Sequence, residues 1–329
     1  MMDKTIQKLN KQSEKHTKSI DKVLGEIGNV IVGQDKVLHK LLIALLANGH
    51  VLLEGVPGLA KTLMVHSLAD TLRASFVRIQ FTPDLLPADI VGTTIYDQRK
   101  ATFTTRKGPV FANLVLADEI NRAPPKVQSA LLEAMQERQV SIGGETFPLP
   151  KPFLVLATQN PLETEGTYRL PEAQVDRFML KVLVDYPSIE EERAIVDRFT
   201  RDTEASASPV LDADAVTKMQ LSVRKLHVEE SVVDYSTQLV DATRDPASYG
   251  LDMEGLIEFG ASPRASIWLV MGARANALLN GRGYVIPEDI QAVAMSVLRH
   301  RIILTYEAEA EDVTTDDIVQ QVLNVVEIP

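Results

Sequence analysis

The stretch that decides the fold begins at His50 and reads HVLLEGVPGLAKT. Its first residues, through Glu54, are mostly apolar and predict a short buried strand. A glycine-containing turn, Gly55 to Ala60, comes next, and a helical pattern begins at Lys61. A turn of this kind, set between a strand and a helix that opens with Lys-Thr, is the pattern of a phosphate-binding loop.

In such a loop, backbone N–H groups and the N-terminus of the following helix face the phosphates of a nucleotide. The lysine reaches the β- and γ-phosphates, and the next hydroxyl binds Mg²⁺. Here these residues are Lys61 and Thr62, and Ala60 stands where the general pattern has glycine. The candidate nucleotide-binding residues of this segment are Gly55, Val56, Pro57, Gly58, Leu59, Ala60, Lys61, Thr62 and Leu63.

A second apolar strand is predicted from Leu114 to Asp118, and two carboxylates, Asp118 and Glu119, stand at its end. The carboxyl ends of parallel strands form the edge at which α/β folds bind ligands. We expect Asp118 to hold Mg²⁺, directly or through water, and Glu119 to orient and polarise an attacking water. The presence of both acids favours hydrolysis of a nucleotide over binding alone.

A third strand is predicted from Phe153 to Thr158, and it leads into Gln159, Asn160 and Pro161. An amide at a strand end beside the acid pair can hydrogen-bond both a γ-phosphate and the attacking water. The alternative is an ordinary Asn-Pro turn. The pattern by itself leaves both interpretations open.

The chain as a whole alternates short apolar strands with helical stretches as far as Tyr186-Pro187, which is typical of an α/β fold with a parallel sheet flanked by helices. Two β-prone segments, 94–105 and 138–148, interrupt this alternation, and each predicts an inserted hairpin. From Ser188 onward only helical patterns occur, so an all-α domain without strands is expected.

The predicted organisation is therefore an N-terminal helical segment (1–30), an α/β nucleotide-binding core (31–187) and an α-helical domain (188–329). Within the N-terminal segment, the apolar spacing from Ile20 to Ile27 predicts an amphipathic helix that ends at Gly28. The lysine-rich first twenty residues are expected to form a solvated and partly frayed leading helix.

Composition excludes several classes of protein. The 329 residues carry a net charge of −11, which disfavours non-specific binding of nucleic acid through a basic face. Cysteine is absent, so disulfides, thiolate metal sites and cysteine nucleophiles are excluded. The longest apolar run, Leu41 to Ala47, is far shorter than the roughly 20 residues of a membrane-spanning helix, and no secretory signal is evident. A cytoplasmic protein without a membrane segment is expected.

Four segments together resemble the MoxR family of AAA+ ATPases: GVPGLAKT (55–62), LVLADEINRAPPKVQSALLEAMQE (114–137), ATQNP (157–161) and LPEAQVDRFMLK (170–181). The resemblance extends from about Ile31 into the C-terminal region. It implies a P-loop AAA+ core with two inserted hairpins and a helical lid. It also implies binding and hydrolysis of ATP with Mg²⁺, in a ring, usually a hexamer, that binds ATP between neighbouring protomers.

The resemblance assigns roles to individual residues. Asn160 takes the sensor-1 role beside Glu119, and Arg177 matches the arginine finger that reaches the γ-phosphate bound by an adjacent protomer. Arg264 matches sensor 2, which reaches back from the start of a helix toward the phosphates bound by its own chain. Arg122, just after the acid pair, is a candidate for an inter-subunit role.

The same resemblance places Val32, Gly33 and Gln34 near adenine, with Tyr186 closing that pocket. The two hairpins correspond to the helix-2 insert and the pre-sensor-1 insert, which project toward the pore or the partner-binding face.

At the level of function, the resemblance implies a chaperone-like machine that remodels or matures partner proteins, often together with a protein that carries a von Willebrand factor A domain. One alternative is a nucleotide-dependent assembly scaffold with little turnover, against which intact Glu119, Asn160 and Arg177 argue. Another is a DNA-acting AAA+ motor, which the acidic charge disfavours although a pore hairpin could grip DNA. Hydrolysis of ATP measured with and without DNA distinguishes the three.

Overall fold

A computed structural model describes residues 2–56, 58–98, 101–161, 166–200, 206–253 and 255–329. In chain order the helices are α1 (Met2–Gly28), α2 (Asp35–Ala47), α3 (Lys61–Thr71), α4 (Pro87–Val91), α5 (Pro125–Glu137), α6 (Glu172–Val175), α7 (Ile189–Phe199), α8 (Ala213–Val223), α9 (Glu230–Ala242), α10 (Pro263–Leu279), α11 (Pro287–Leu298), α12 (Tyr306–Ala310) and α13 (Thr315–Val325). The strands are β1 (Val51–Glu54), β2 (Phe76–Gln80), β3 (Gly92–Asp97), β4 (Thr102–Lys107), β5 (Leu114–Asp118), β6 (Gln139–Ile142), β7 (Glu145–Pro148), β8 (Leu154–Gln159), β9 (Leu180–Leu183), β10 (Ile257–Phe259) and β11 (Ile303–Leu304).

Five parallel strands form the central sheet in the order β2-β5-β8-β1-β9. In the middle of the sheet, Val51 of β1 lies opposite Leu156 of β8 and Leu180 of β9. Because all strands of a parallel sheet run in the same direction, β1, β5 and β8 end at one edge. This edge therefore carries the phosphate-binding loop, the acid pair and Asn160.

Both faces of the sheet are covered, because successive side chains of β5 are buried in two different apolar clusters. Leu114 and Leu116 belong to the apolar cluster that also contains buried residues of α2 and α3. Val115 and Ala117 belong to the other cluster, which contains buried residues of α5. Successive side chains of a strand point to opposite faces, so a strand between two helical layers is apolar throughout. The predicted α/β core is confirmed.

The two inserted hairpins are present. β3 and β4 pair in antiparallel register from Gly92 opposite Lys107 to Asp97 opposite Thr102. β6 and β7 pair around Gly143-Gly144, whose φ angles of 60° and 88° allow the tight turn. Part of the charged turn of the first hairpin, residues 99–100, lies outside the described residues.

The second half of the chain forms the helical lid, α7 to α13, but it also contains strands. β10 and β11 pair in antiparallel fashion, so the expectation of no strand after Ser188 is wrong. Each strand has only two or three residues, and they come from distant parts of the chain. Such a pair is stabilised by its long-range partner, so neither segment has a recognisable pattern of its own.

The N-terminal helix differs from the expectation of a frayed segment. α1 ends at Gly28 as predicted, but its first half is docked on the lid. Asn10 Oδ1 accepts a hydrogen bond from the backbone N–H of Gly283 at 2.6 Å, and Thr17 Oγ1 donates to the carbonyl of Leu278 at 2.7 Å. Polar contacts of this kind give no apolar periodicity, so the sequence pattern could not reveal the docking.

α1 also packs on α3 of the core, and one apolar cluster runs from the core into the lid. The division of the chain at residues 30 and 187 stays a prediction. In the described part of the chain, no helix combines the length and apolar character needed to cross a membrane.

Candidate active site

The phosphate-binding loop joins β1 to α3, as the sequence predicts. Lys61, the first residue of α3, folds back over the loop and donates from Nζ to the carbonyl of Gly55 at 2.6 Å. Burial lowers the pKa of the Lys61 ammonium, whereas the charges of Asp118 and Glu119 raise it. Lys61 therefore lies within electrostatic reach of the acid pair.

Two positions in the loop show why small residues occur there. Ala60 has φ 53° and ψ 21°, a left-handed conformation that favours glycine and costs alanine roughly 1 kcal/mol. This explains why the general pattern has glycine at this position. At Gly55, an added Cβ would lie 2.6 Å from the carbonyl oxygen of Val184, so only glycine allows the close approach of the chain after β9.

Asp118 ends β5 with both carboxylate oxygens engaged. Oδ1 accepts a hydrogen bond from Thr158 Oγ1 at 2.6 Å, and Oδ2 accepts from Arg78 Nη2 at 2.6 Å and Nε at 3.0 Å. Arg78 is on the neighbouring strand β2. Arg78 is not recognisable as a site residue from the sequence, because the strand pairing that brings it to Asp118 is a property of the tertiary structure.

Glu119 is held by two further side chains. Its Oε2 accepts a hydrogen bond from Gln80 Nε2 at 2.7 Å and lies 3.2 Å from Arg122 Nη1. Gln80 is itself oriented by Arg78, which donates to Gln80 Oε1 at 2.6 Å. Arg122, a candidate for an inter-subunit role, thus pairs with Glu119 of its own chain. Gln80 and Arg122 position the carboxylate expected to act on water.

One cavity of about 410 Å³ brings most of the predicted site residues together. Its lining residues are Gly55, Gly58, Leu59, Ala60, Lys61, Thr62, Leu63, Arg78, Asp118, Glu119, Thr158, Gln159 and Asn160. Asn160 is therefore in the phosphate cavity, beside the acid pair, and does not merely form a turn. Val56 is absent from this lining, and Pro57 lies outside the described residues.

The donor set of this cavity fits Mg²⁺ bound together with a nucleotide. Thr62 and Asp118 supply a hydroxyl and a carboxylate, the hard oxygen ligands that Mg²⁺ prefers. Among the described residues, no three acidic or histidine side chains converge to form a cage for a metal ion. A magnesium ion here would take its remaining ligands from phosphate and water.

A smaller cavity of about 100 Å³ adjoins the loop and contains part of the predicted adenine site. Val32 and Gln34 line it, whereas Gly33 does not. Tyr186 is 73% exposed and is absent from the lining, and the neighbouring Pro187 takes its place. Adjacent side chains point in different directions, so the motif located the segment but not the residue.

Two apolar residues of this smaller cavity were missed by the sequence analysis. Ile195 and Phe199 both belong to α7 and lie four positions apart on one helix face. They show that the first helix of the lid forms one wall of the candidate adenine site.

Arg177 and Arg264 are not in the phosphate cavity. Both line a separate cavity of about 530 Å³, which we call the arginine cavity. Arg264 Nη1 donates to Asp176 Oδ2 at 2.7 Å, and this ion pair holds the start of α10. The expectation that Arg264 reaches back to the phosphates bound by its own chain does not agree with this placement. Arg177, the predicted finger, likewise lies outside the phosphate cavity of its own chain.

Asp176 has a second partner, which fixes its position. Arg301 donates from Nε to Asp176 Oδ1 at 2.8 Å, and its side chain is 1% exposed. Burial lowers the pKa of Arg301 to about 10, although the charge of Asp176 opposes this shift. Arg301 therefore stays charged at neutral pH and needs Asp176 as its counter-ion.

Comparisons with known proteins agree with this geometry. The model of the ATPase family associated with various cellular activities (AAA) matches residues 50–180, and that of the AAA lid domain matches residues 252–322. A crystal structure described as that of an ATPase from Cytophaga hutchinsonii superposes with a TM-score of 0.92, at 50% identity, covering 100% of this chain and 99% of that one. Fold and site together define an AAA+ ATPase with a helical lid.

The relatives narrow this class to one family. Chaperone MoxR1 of Mycobacterium tuberculosis is 51% identical over 96% of this chain and 84% of its own length. Protein MoxR of Methylorubrum extorquens is 33% identical over 88% of this chain and 90% of its own length. The chain belongs to the MoxR family of AAA+ ATPases.

Proposed function

We propose that this chain binds ATP with Mg²⁺ and hydrolyses it in the phosphate cavity. The observation that carries the proposal is that Lys61, Thr62, Asp118, Glu119 and Asn160 line a single cavity, although they come from three separate parts of the sequence. Together they supply an ammonium, a hydroxyl, two carboxylates and an amide, the groups that phosphoryl transfer to water requires.

In the proposed reaction Lys61 binds the β- and γ-phosphates, and Thr62 and Asp118 hold Mg²⁺. The ion neutralises charge on the phosphates when it is bound. Glu119 orients the attacking water and accepts its proton, while Gln80 and Arg122 keep the carboxylate in place. Asn160 hydrogen-bonds the γ-phosphate or the water.

We further propose that protomers assemble head to tail into a ring, with six members as the family resemblance implies. The phosphate cavity and the arginine cavity are lined by different residues of one chain, so an interface that places one against the other must join two unlike surfaces. Arg177 and Arg264 then both act on the nucleotide of the adjacent protomer. This replaces the expectation that Arg264 acts within its own chain.

The proposed cellular role is chaperone-like remodelling or maturation of partner proteins in the cytoplasm. A relative that is 51% identical bears the name chaperone, and this supports the role. A partner with a von Willebrand factor A domain follows from the family resemblance alone. Suppression of aggregation of a heat-denatured model protein, with and without ATP, tests the role, and Lys61→Ala should abolish any dependence on ATP.

The hydrolysis proposal is tested by comparing two variants. Glu119→Gln keeps the shape of the side chain but removes the base, so ATP binding should persist while turnover falls by at least about 100-fold. Lys61→Ala removes a charge facing the phosphates and should weaken binding itself. Glu133→Gln, an exposed position on α5, serves as the matched control. If Glu119→Gln hydrolyses ATP at the wild-type rate, the assignment of the catalytic acid is wrong.

A further inference from the structure

The arginine cavity contains more positive charge than the two predicted arginines supply. Besides Arg177 and Arg264, its lining includes Arg138, Arg224 and Arg274. No carboxylate is among the described residues that line it. Five guanidinium groups thus surround a space of about 530 Å³ in a chain whose net charge is −11.

The three additional arginines have no carboxylate partner among the described contacts. Arg138 donates to the backbone carbonyls of Phe153, at 3.3 Å, and Asn48. Arg274 donates from Nη1 to the carbonyl of Arg224 at 3.3 Å, while its buried Nε has no hydrogen-bond partner. Neutral carbonyls satisfy N–H groups but leave the positive charge uncompensated.

The environment lowers the pKa values of two of these arginines, Arg138 and Arg274. Burial lowers the pKa of the Arg274 guanidinium. Burial also lowers the pKa of Arg138, and the neighbouring charge of Arg224 lowers it further. An anion in the cavity would offset the cost of burying these charges, because it would supply negative charge and hydrogen-bond acceptors.

The cavity is built jointly by the core and the lid. Arg138 follows α5 of the core, and Arg224 follows α8 of the lid. One face of α10 supplies the remaining wall, with Arg264, Met271 and Arg274 at helical spacing. Three arginines from three elements converge on one space, which distinguishes the cavity from a solvated run of charge along a single helix.

We propose that the arginine cavity is a polyphosphate site, in which Arg138, Arg224 and Arg274 bind phosphate groups together with Arg177 and Arg264. Guanidinium groups pair with phosphate oxygens in fork geometry, and the volume of the cavity is in the range of small-molecule sites. The polyphosphate group comes either from the ATP of a neighbouring protomer, a source that rests on the proposed function, or from a free polyphosphate anion.

The test measures binding of tripolyphosphate to the full chain carrying Lys61→Ala, which disables the phosphate loop. Titration calorimetry should show one saturable site per chain. Adding Arg224→Gln or Arg274→Gln should weaken binding at least about ten-fold each, since a hydrogen bond to a charged group is lost. Arg274→Lys should retain more affinity than Arg274→Gln. Arg106→Gln, an exposed arginine on β4, is the matched control and should change nothing.

Thermal unfolding of each variant shows whether it is folded, so that loss of binding is not confused with loss of structure. The absence of saturable binding to the Lys61→Ala protein would overturn the proposal. The proposal would also be overturned if the folded Arg224→Gln and Arg274→Gln variants bound tripolyphosphate as tightly as the Lys61→Ala protein without them. Failure of wild-type protein to hydrolyse ATP would instead overturn the proposed function and leave this binding result unaffected.

A second arm identifies the source of the polyphosphate. Glu119→Gln protein, with Lys61 intact, is assembled with ATP and then titrated with tripolyphosphate. If the neighbour's ATP occupies the cavity, tripolyphosphate should no longer bind. If the anion is a free polyphosphate, tripolyphosphate should still bind to the assembled protein. Arg224→Gln and Arg274→Gln should then weaken this binding as they do in the Lys61→Ala protein.

Discussion

Arg78 and Asp118 form an ion pair across two neighbouring strands, with Nη2 of the arginine 2.6 Å from Oδ2 of the carboxylate. The remaining oxygen of Asp118 accepts a hydrogen bond from Thr158. An arginine therefore occupies the carboxylate that is expected to hold Mg²⁺. We expect binding of the ion to compete with this pair.

We expect Arg78→Gln to lower the Mg²⁺ concentration needed for half-maximal ATP binding or hydrolysis. The pair is partly exposed and worth about 1 kcal/mol, so the shift should be roughly five-fold. A Mg²⁺ titration at fixed ATP measures it, with Arg73→Gln as a control on an exposed arginine. An unchanged Mg²⁺ requirement would show that Arg78 does not compete with the ion.

Gln80 is expected to act as a positioning residue for Glu119. Gln80→Leu removes both the bond that Gln80 donates to Glu119 and the bond that it accepts from Arg78. We expect kcat to fall roughly ten-fold while KM for ATP changes little, because one charge-assisted hydrogen bond is lost from the catalytic carboxylate only. Steady-state kinetics separate the two constants. A rise in KM with unchanged kcat would place Gln80 in ATP binding instead.

Arg177 is expected to act on the ATP of a neighbour. Arg177→Ala should bind ATP almost normally yet hydrolyse it poorly, since fingers in other NTPases contribute on the order of 10³–10⁵ in rate. Mixing Arg177→Ala with Glu119→Gln should restore part of the activity, because one protomer offers an intact finger to the intact acid of the other. Failure to recover activity in rings shown to contain both variants would argue against a shared site.

Arg264 shares the arginine cavity with Arg177, so it should behave in the same way on mixing. Arg264→Ala mixed with Glu119→Gln should recover activity if Arg264 acts across the interface. If Arg264 instead acts on the ATP of its own chain, a mixture of Arg264→Ala and Arg177→Ala protomers should recover activity. If both arginines act across the same interface, this mixture should stay inactive, because no protomer then offers both arginines to its neighbour.

Asp176 is expected to be a major contributor to stability. Asp176→Asn leaves the buried Arg301 without its counter-ion, which should cost about 3 kcal/mol in the free energy of unfolding. Asp316→Asn breaks the more exposed pair with Arg299 and should cost about 1 kcal/mol or less. Urea unfolding of both variants measures the difference. Equal losses would show that Arg301 finds another partner.

His50 is expected to make the fold sensitive to acid. Its Nδ1 accepts from the N–H of Val155, a bond that requires the neutral ring, and its Nε2 donates to the carbonyl of Met135. Burial and the neighbouring charge of Arg138 together lower the pKa of His50 to about 3, against the opposing effect of the bond to Met135. Below pH 6.5 the unfolded chain takes up a proton that the folded chain excludes, so stability falls as pH falls.

The size of this effect is about 2 kcal/mol between pH 7 and pH 5. His50→Gln keeps a donor and an acceptor but does not titrate, so it should lose that much less stability than wild type over the same interval. Denaturant unfolding of both proteins at the two pH values separates the contribution of His50 to the free energy of unfolding from that of the many carboxylates. Parallel losses in the two proteins would show that His50 is not responsible.

The sequence by itself determined the core of this protein and most of its phosphate site. The phosphate-binding loop, the acid pair and Asn160 each follow an apolar strand directly, and parallel strands end at a common edge. Local order along the chain therefore implied that these residues meet, and the structure places them in one cavity. The glycine pair of the second hairpin was equally clear, because its turn depends on local backbone conformation.

Tertiary structure alone decided which side chains support that site and which cavity the predicted arginines line. Arg78 and Gln80 reach the acid pair through the pairing of β2 with β5, and strand order is not encoded in any local pattern. Arg264 is placed by the docking of the lid on Asp176, so a motif at the start of a helix could not show which cavity it would line. Long-range packing joins residues that are distant in the chain, and a sequence pattern describes only neighbours along it.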